Sequence, residues 1–285
     1  MKRMRLMLLP VLALAVSLSA AAQSGKCLPS RTDGVAPYTS GEQLTFSIFY
    51  NWHGAMTAVA KADLSVKGET LNGEKVMHSA LSVKTASFFD VFFKIREQFE
   101  SWFVQSGTAL KPRQFLRDSR EGNYHAVNRY KYDAKAGRIH AVLEYRDEGE
   151  QSVEIPYGDC TTDVTTLFYA ARQLDYGQLK EGKVFHNSLA IDSDVMDVRL
   201  TYLGKENKYV KGIGTVVTRK FGLSVRKGEM FSGEQDVIMW FSDDDNRIPV
   251  AFMAPLKVGQ MDGALKSYNG LSHPFDALVS SKRVK

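Results

Sequence analysis

The run Gly41-Glu42-Gln43-Leu44-Thr45-Phe46-Ser47-Ile48-Phe49-Tyr50 decides the fold class. Leu44, Phe46, Ile48 and Tyr50 alternate with Gln43, Thr45, Ser47 and Phe49, the period of two that gives a strand one face in a core. Asn51-Trp52-His53-Gly54 interrupts the alternation, and Met56, Ala58, Ala60, Ala62, Leu64 and Val66 resume it. That pattern predicts a hairpin with small residues on the inner face of its second strand.

Further along, Val76 to Thr85, Glu97 to Gln105, Gln114 to Arg120, Ala126 to Asp133 and Ile139 to Arg146 are short strand candidates between Gly, Asn and Asp turns. After Ile155-Pro156 the period changes. Val164, Leu167, Phe168, Ala171 and Leu174 fall at helical spacing, with Thr165, Tyr169, Arg172 and Gln173 on the other side. The helix is predicted over Thr162 to Tyr176, capped by Thr162 or Asp163 and ended by Gly177. Strands return at Val184 to Leu189, Met196 to Tyr202, Gly214 to Val225, Asp236 to Ser242 and Arg247 to Met253. The expected fold is mainly β: a curved antiparallel sheet or incompletely closed β-barrel with one packed α-helix on its concave face. No repeat or long linker divides it, so residues 41–270 read as a single β-rich domain, 23–40 as a flexible leader and 271–285 as a C-terminal tail.

The amino terminus is an address. Lys2, Arg3 and Arg5, an apolar segment from Leu6 to about Val16, and Ala20-Ala21-Ala22 match a signal peptide over residues 1–22, with the exported chain starting at Gln23. The formal charge of +5 drops by three when those cations leave, and the remaining Lys and Arg are interleaved with Asp and Glu. No nucleic-acid partner is therefore expected. No later run approaches the roughly 20 apolar residues that a transmembrane helix needs. The expected location is the periplasm or cell envelope. Cys27 and Cys160, in an oxidising compartment, could form one long-range disulfide, although spacing alone does not decide it.

Motifs for chemistry are weak. The six histidines lack metal-ligand spacing, so no metal site is expected. Gly222-Leu223-Ser224-Val225-Arg226 lacks the second glycine of a serine-nucleophile elbow, and Lys211-Gly212-Ile213-Gly214 is not followed by a helix. Asp243-Asp244-Asp245-Asn246 begins like a calcium loop, but Ile248 and Ala254 stand where that loop needs glycine and glutamate, leaving a hairpin turn. Cys160 precedes the helix, where a thiol would be activated, with no histidine assigned beside it. No catalytic residues and no cofactor are expected.

Phe88, Phe89, Phe92, Phe93, Phe99, Trp102 and Phe103 form the densest aromatic stretch. They read as core packing or, in part, as the wall of an apolar pocket, with Phe88, Phe92 and Trp102 the candidate ligand-binding residues.

Four pieces in order resemble domain-of-unknown-function family 3108. They are Gly41-Glu42-Gln43-Leu44-Thr45-Phe46; Glu100-Ser101-Trp102 with Leu110-Lys111-Pro112; Asp163 through Leu167 with Tyr169 and Arg172; and Trp240-Phe241-Ser242-Asp243-Asp244 with Arg247-Ile248-Pro249-Val250. The resemblance spans about Gly41 to Leu265. It departs after His53-Gly54-Ala55, where Met56 stands in place of an expected glycine. It implies an exported protein of a Gram-negative envelope and supplies no catalytic residue set. By analogy with helix-plugged periplasmic lipoprotein carriers, the favoured function is non-enzymatic binding of a lipid, another apolar ligand or an envelope protein. The alternatives are a structural or interaction module with a filled core, and an unrecognised hydrolase.

Overall fold

The computed structural model describes residues 27–226 and 237–280. The alternating run becomes β1 (Glu42–Trp52), with Leu44, Phe46 and Ile48 buried on one face. It pairs antiparallel with β2 (Ala55–Leu71) across the two-residue turn His53-Gly54, both residues at positive φ (49° and 87°). That turn matches the right-handed twist of the flanking strands, and glycine enters its second position without strain. Ala62, Leu64 and Val66 are the inner face of β2, whereas Met56 and Ala58 are exposed.

The sheet continues through β3 (Glu74–Thr85), β4 (Ile95–Ser106), β5 (Ala109–Glu121), β6 (Tyr124–Asp133), β7 (Arg138–Tyr145) and β8 (Gly149–Pro156). After β9 (Thr161–Thr162) and helix α1 (Val164–Arg172) come β10 (Val184–Ile191), β11 (Asp194–Val210), β12 (Gly214–Arg226), β13 (Val237–Ser242), β14 (Pro249–Pro255), β15 (Gln260–Asn269) and β16 (Leu278–Ser280). One sheet runs β8-β7-β6-β5-β4-β3-β2-β1-β15-β14-β13-β12-β11-β10-β9, with β16 on β12. Every described pairing is antiparallel except β9 with β10. β8 and β9 end the sheet without pairing to each other, so it is strongly curved and not closed. The mainly β architecture expected from sequence is therefore the one observed. β8 carries Glu150, Gln151, Ser152 and Glu154, an edge whose charges discourage further pairing.

Four strands, β8, β9, β15 and β16, escape sequence patterning, and β9 and β16 are only two and three residues long. In β15, Asp262 and Gly263 interrupt the alternation, and in β8 hardly a residue is buried. Yet β15 is the partner that joins the two ends of the chain's strand order through β1.

α1 packs against β3, β4, β5 and β10, within the curve of the sheet. It is shorter than predicted. Asp163 caps it, accepting Thr166 N at 2.9 Å. Its end is fixed from outside the helix, because residues 173–175 bond to the amino-terminal segment: Arg31 N to Gln173 O at 2.8 Å and Asp175 N to Pro29 O at 2.6 Å.

That amino-terminal segment corrects the expected flexible leader. From Cys27 onward it is packed: Leu28 and Tyr38 are buried, Ser30 bridges to Leu174, and the Cys27 and Cys160 sulfurs are joined with Cα atoms 4.9 Å apart. Similarly, the expected tail is built in as far as residue 280, with Ala277 buried and β16 paired to β12. The signal-peptide reading of residues 1–22 and the cleavage at Gln23 lie outside the described residues.

Candidate functional site

Phe88, Phe92 and Trp102 do not wall one cavity. Phe88 and Phe92 lie in the segment between β3 and β4, 75% and 78% exposed, with ring centroids 6.3 Å apart. Trp102 lies toward the other end of β4. Its ring stacks on His78 at 4.3 Å between centroids, and its Nε1 donates to Glu69 at 3.1 Å. The segment falls outside the barrel because β2 and β3 stop pairing at Ala60 and Thr85, below the tip of β2. Phe99 and Phe103 do point inward: Phe103 is fully buried against Tyr169, and Phe99 packs on Phe115.

The interior is filled and partly polar. Asp163 accepts hydrogen bonds from Ser101 Oγ (2.7 Å), Thr166 Oγ1 (3.0 Å) and Thr166 N. Burial pushes its carboxyl up to about 6, a rise that those hydrogen bonds moderate. About two and a half helical turns on, Arg172 is fully buried. It pairs with Glu42 and donates to the backbone oxygens of Pro37 and Asn246. Arg247 donates to Leu174 O, and Asp244 accepts the backbone N–H groups of Asn246 and Arg247. The sequence pieces at Gly41, Asp163 and Trp240 thus meet around one arginine. Each charge there is consumed by a structural partner.

A second polar group lies on β4, β5 and β6. Arg117 donates to Asp192 (2.8 Å), as does Asn128 (2.7 Å), while Tyr130 Oη donates to Asp192 O (2.6 Å) and Ser119 donates to Glu97. Burial pushes the Glu97 carboxyl up to about 7, against the pull of Ser119 and Arg117. A carboxylate poised near neutrality beside a hydroxyl suggests proton transfer, but Ser119 has no exposed surface. Among the described residues, no three His, Cys, Asp or Glu side chains converge as metal ligands.

The open concavity lies elsewhere. A groove of about 420 Å³ is bounded by Phe49, Met56, Trp240 and Met253, with Lys208 and Tyr209 of β11 along its side. The register places Phe49, Asp262, Ala264, Ala251 and Trp240 on a common face, opposite the one that carries Ile48. Lys208 Nζ sits 3.7 Å from the centre of the Trp240 ring, and burial holds its ammonium below the usual lysine value. Trp240 Nε1 in turn donates to Glu206. The groove combines apolar walls with Lys211, the Asp262 carboxylate and the partly desolvated Lys208, which makes no ion pair within 4 Å among the described residues. Sequence reading missed it because its lining comes from six strands, β1, β2, β11, β13, β14 and β15, from opposite ends of the chain.

Among solved structures, the chain is similar to a beta-barrel-like protein of domain of unknown function DUF1849 from Brucella abortus. The TM-score is 0.51 at 10% identity, covering 81% of this chain and 98% of that one. At that identity the likeness concerns the fold alone. No curated protein matches the chain. The sequence matches the family described as protein of unknown function (DUF3108) over residues 45–266, and the chain belongs to that family.

Proposed function

We propose that the protein is an exported, non-catalytic envelope protein that binds an apolar or amphiphilic molecule in the groove beside Trp240. The observation that carries this reading is the groove itself: its volume falls in the range of small-molecule sites, its walls are aromatic and Met-rich, and Lys208 and Lys211 lie at its side. An anionic head on an apolar body suits that combination, since Lys208 is already partly stripped of water. Export is supported by the leader sequence and by a Cys27–Cys160 pair of the kind found in oxidising compartments.

Native mass spectrometry of protein purified from its own envelope tests the reading, paired with uptake of a fluorescent fatty-acid probe. The expected result is a co-purified apolar species or saturable probe uptake, weakened by Lys208→Gln and by Met56→Glu at the exposed rim. A second reading, an interaction module with a filled core, is favoured by the fully buried Phe103, Tyr169 and Leu174. Wild-type protein with no co-purified molecule and no probe uptake would select it.

A further inference from the structure

Among the described residues, seven of the thirteen exposed large apolar side chains gather at one end of the sheet. Trp52 and Met56 flank the β1–β2 turn, Phe88, Val91, Phe92 and Phe93 lie between β3 and β4, and Val258 is in the β14–β15 turn. These turns belong to neighbouring strands in the order β14-β15-β1-β2-β3-β4. The register fixes their proximity: Asn51 faces Gln260, Ala86 N donates to Val59 O, and Tyr50 Oη donates to Val258 O. We propose that this end of the sheet docks on an anionic lipid surface, with the phenylalanines, Val91 and Trp52 entering the acyl boundary and Lys94 and Lys257 meeting the headgroups.

Three observations point that way. The aromatic segment is held in shape: Ala86 O accepts Phe89 N at 2.8 Å, Phe89 O accepts Phe92 N at 2.9 Å and Phe93 N at 2.8 Å, and Asp90 is clamped by Arg96 and the Thr85 hydroxyl. Its rings are presented to water by a fixed loop, so their exposure is a property of the fold. Val91, at 84% exposed, is the extreme. Secondly, the charge is complementary to an anionic bilayer. Asp90 is the one carboxylate in the three turns and is neutralised by Arg96, while Lys94 and Lys257 are exposed and make no ion pair among the described residues. Thirdly, the apolar groups sit on the tips of three turns, a convex front that suits a yielding interface. Apolar tips flanked by lysines are the composition of membrane-surface anchors. A second copy of the chain would bring lysine against lysine.

Cosedimentation with extruded vesicles tests this on the full exported chain. It is expected to bind vesicles of phosphatidylethanolamine with phosphatidylglycerol, to bind phosphatidylcholine vesicles weakly, and to shift Trp52 emission to the blue on binding. Phe88→Ser with Phe92→Ser should lower the partition coefficient by on the order of tenfold or more. Lys94→Gln with Lys257→Gln should lower it by about tenfold, an effect that high salt mimics. Val279→Ser, an exposed apolar site at the opposite end, should bind like wild type. The phenylalanines are exposed, so unchanged melting of the variants is expected and separates docking from folding. Absence of vesicle binding, equal binding of the double phenylalanine variant, or equal affinity for phosphatidylcholine would each overturn the proposal. So would a wild-type dimer, dissolved by those same substitutions, that ignores vesicles, since it would assign this end to a second copy.

Discussion

Arg172 and Glu42, 130 residues apart, form an ion pair with no solvent exposure on either side chain: Nη1 to Oε1 is 2.5 Å and Nη2 to Oε2 is 2.8 Å. The guanidinium also lies against the rings of Tyr38 (5.5 Å) and Tyr169 (5.4 Å), which meet each other edge to face, and donates to two backbone carbonyls. One side chain thereby ties the helix to β1, to the segment before it and to the β13–β14 turn.

Removing the arginine alone leaves Glu42 buried and uncompensated, so Arg172→Met should cost about 3 to 5 kcal/mol in denaturant unfolding. Adding Glu42→Leu should recover a large part of that loss, because it removes the stranded charge. A single-variant loss below about 1 kcal/mol would place the pair in contact with water.

Asp163 sets a pH dependence. Its folded value of about 6 lies above the ordinary aspartate value, with burial the first cause. The folded state therefore holds this proton more tightly than the unfolded one, and the group's contribution is fully present below the unfolded value and lost as pH rises through about 6. The two-unit rise corresponds to about 3 kcal/mol. Asp163→Asn removes the titration, so the stability of wild type relative to this variant should fall by about that amount between pH 4 and pH 7 in parallel melts. A difference independent of pH would mean that Asp163 stays ionised throughout.

The helix shows what the sequence discloses and what it hides. Its place, its Asp163 cap and its apolar periodicity are legible, but the buried residues are Thr165, Thr166, Tyr169, Ala170 and Arg172, while Val164, Leu167, Phe168 and Ala171 are only half-buried. Periodicity assumes that polar means outward. Here a curved sheet covers the helix on more than one side, and Ser79, Ser101 and Glu42 supply partners for its polar face. The same assumption put Phe88 and Phe92 inside, although their strands part before reaching them. The groove beside Trp240 was illegible because it depends on which distant strands become neighbours.

Leu174 and Leu167 separate those two views of the helix. Leu174 is fully buried beside the Ser30 bridge, so Leu174→Ala should cost about 2 to 5 kcal/mol. Leu167 is half-buried, and Leu167→Ala should cost clearly less in the same melts. The reverse order would place Leu167 deeper in the core than Leu174.

The Cys27–Cys160 link closes a loop of 133 residues in sequence separation. In the chain-entropy account, opening so long a loop with Cys27→Ser and Cys160→Ser should lower unfolding free energy by up to about 5 kcal/mol. The structural consequence should be local, because other bonds hold the chain further on: Arg172 Nη2 donates to Pro37 O at 2.6 Å, and His273 Nε2 lies 2.9 Å from Ala36 O. Upstream, the segment would depend on Arg31 N to Gln173 O, Asp175 N to Pro29 O and the Arg31–Asp245 ion pair at 3.0 Å. Hydrogen exchange should then quicken at Arg31 and Asp175 in the double variant while the amides of β1 stay protected. Unchanged exchange at both, with an unchanged denaturation midpoint, would show that the backbone bonds hold this segment without the link. Loss of protection in β1 as well would make the link a condition for the Arg172–Glu42 pair itself.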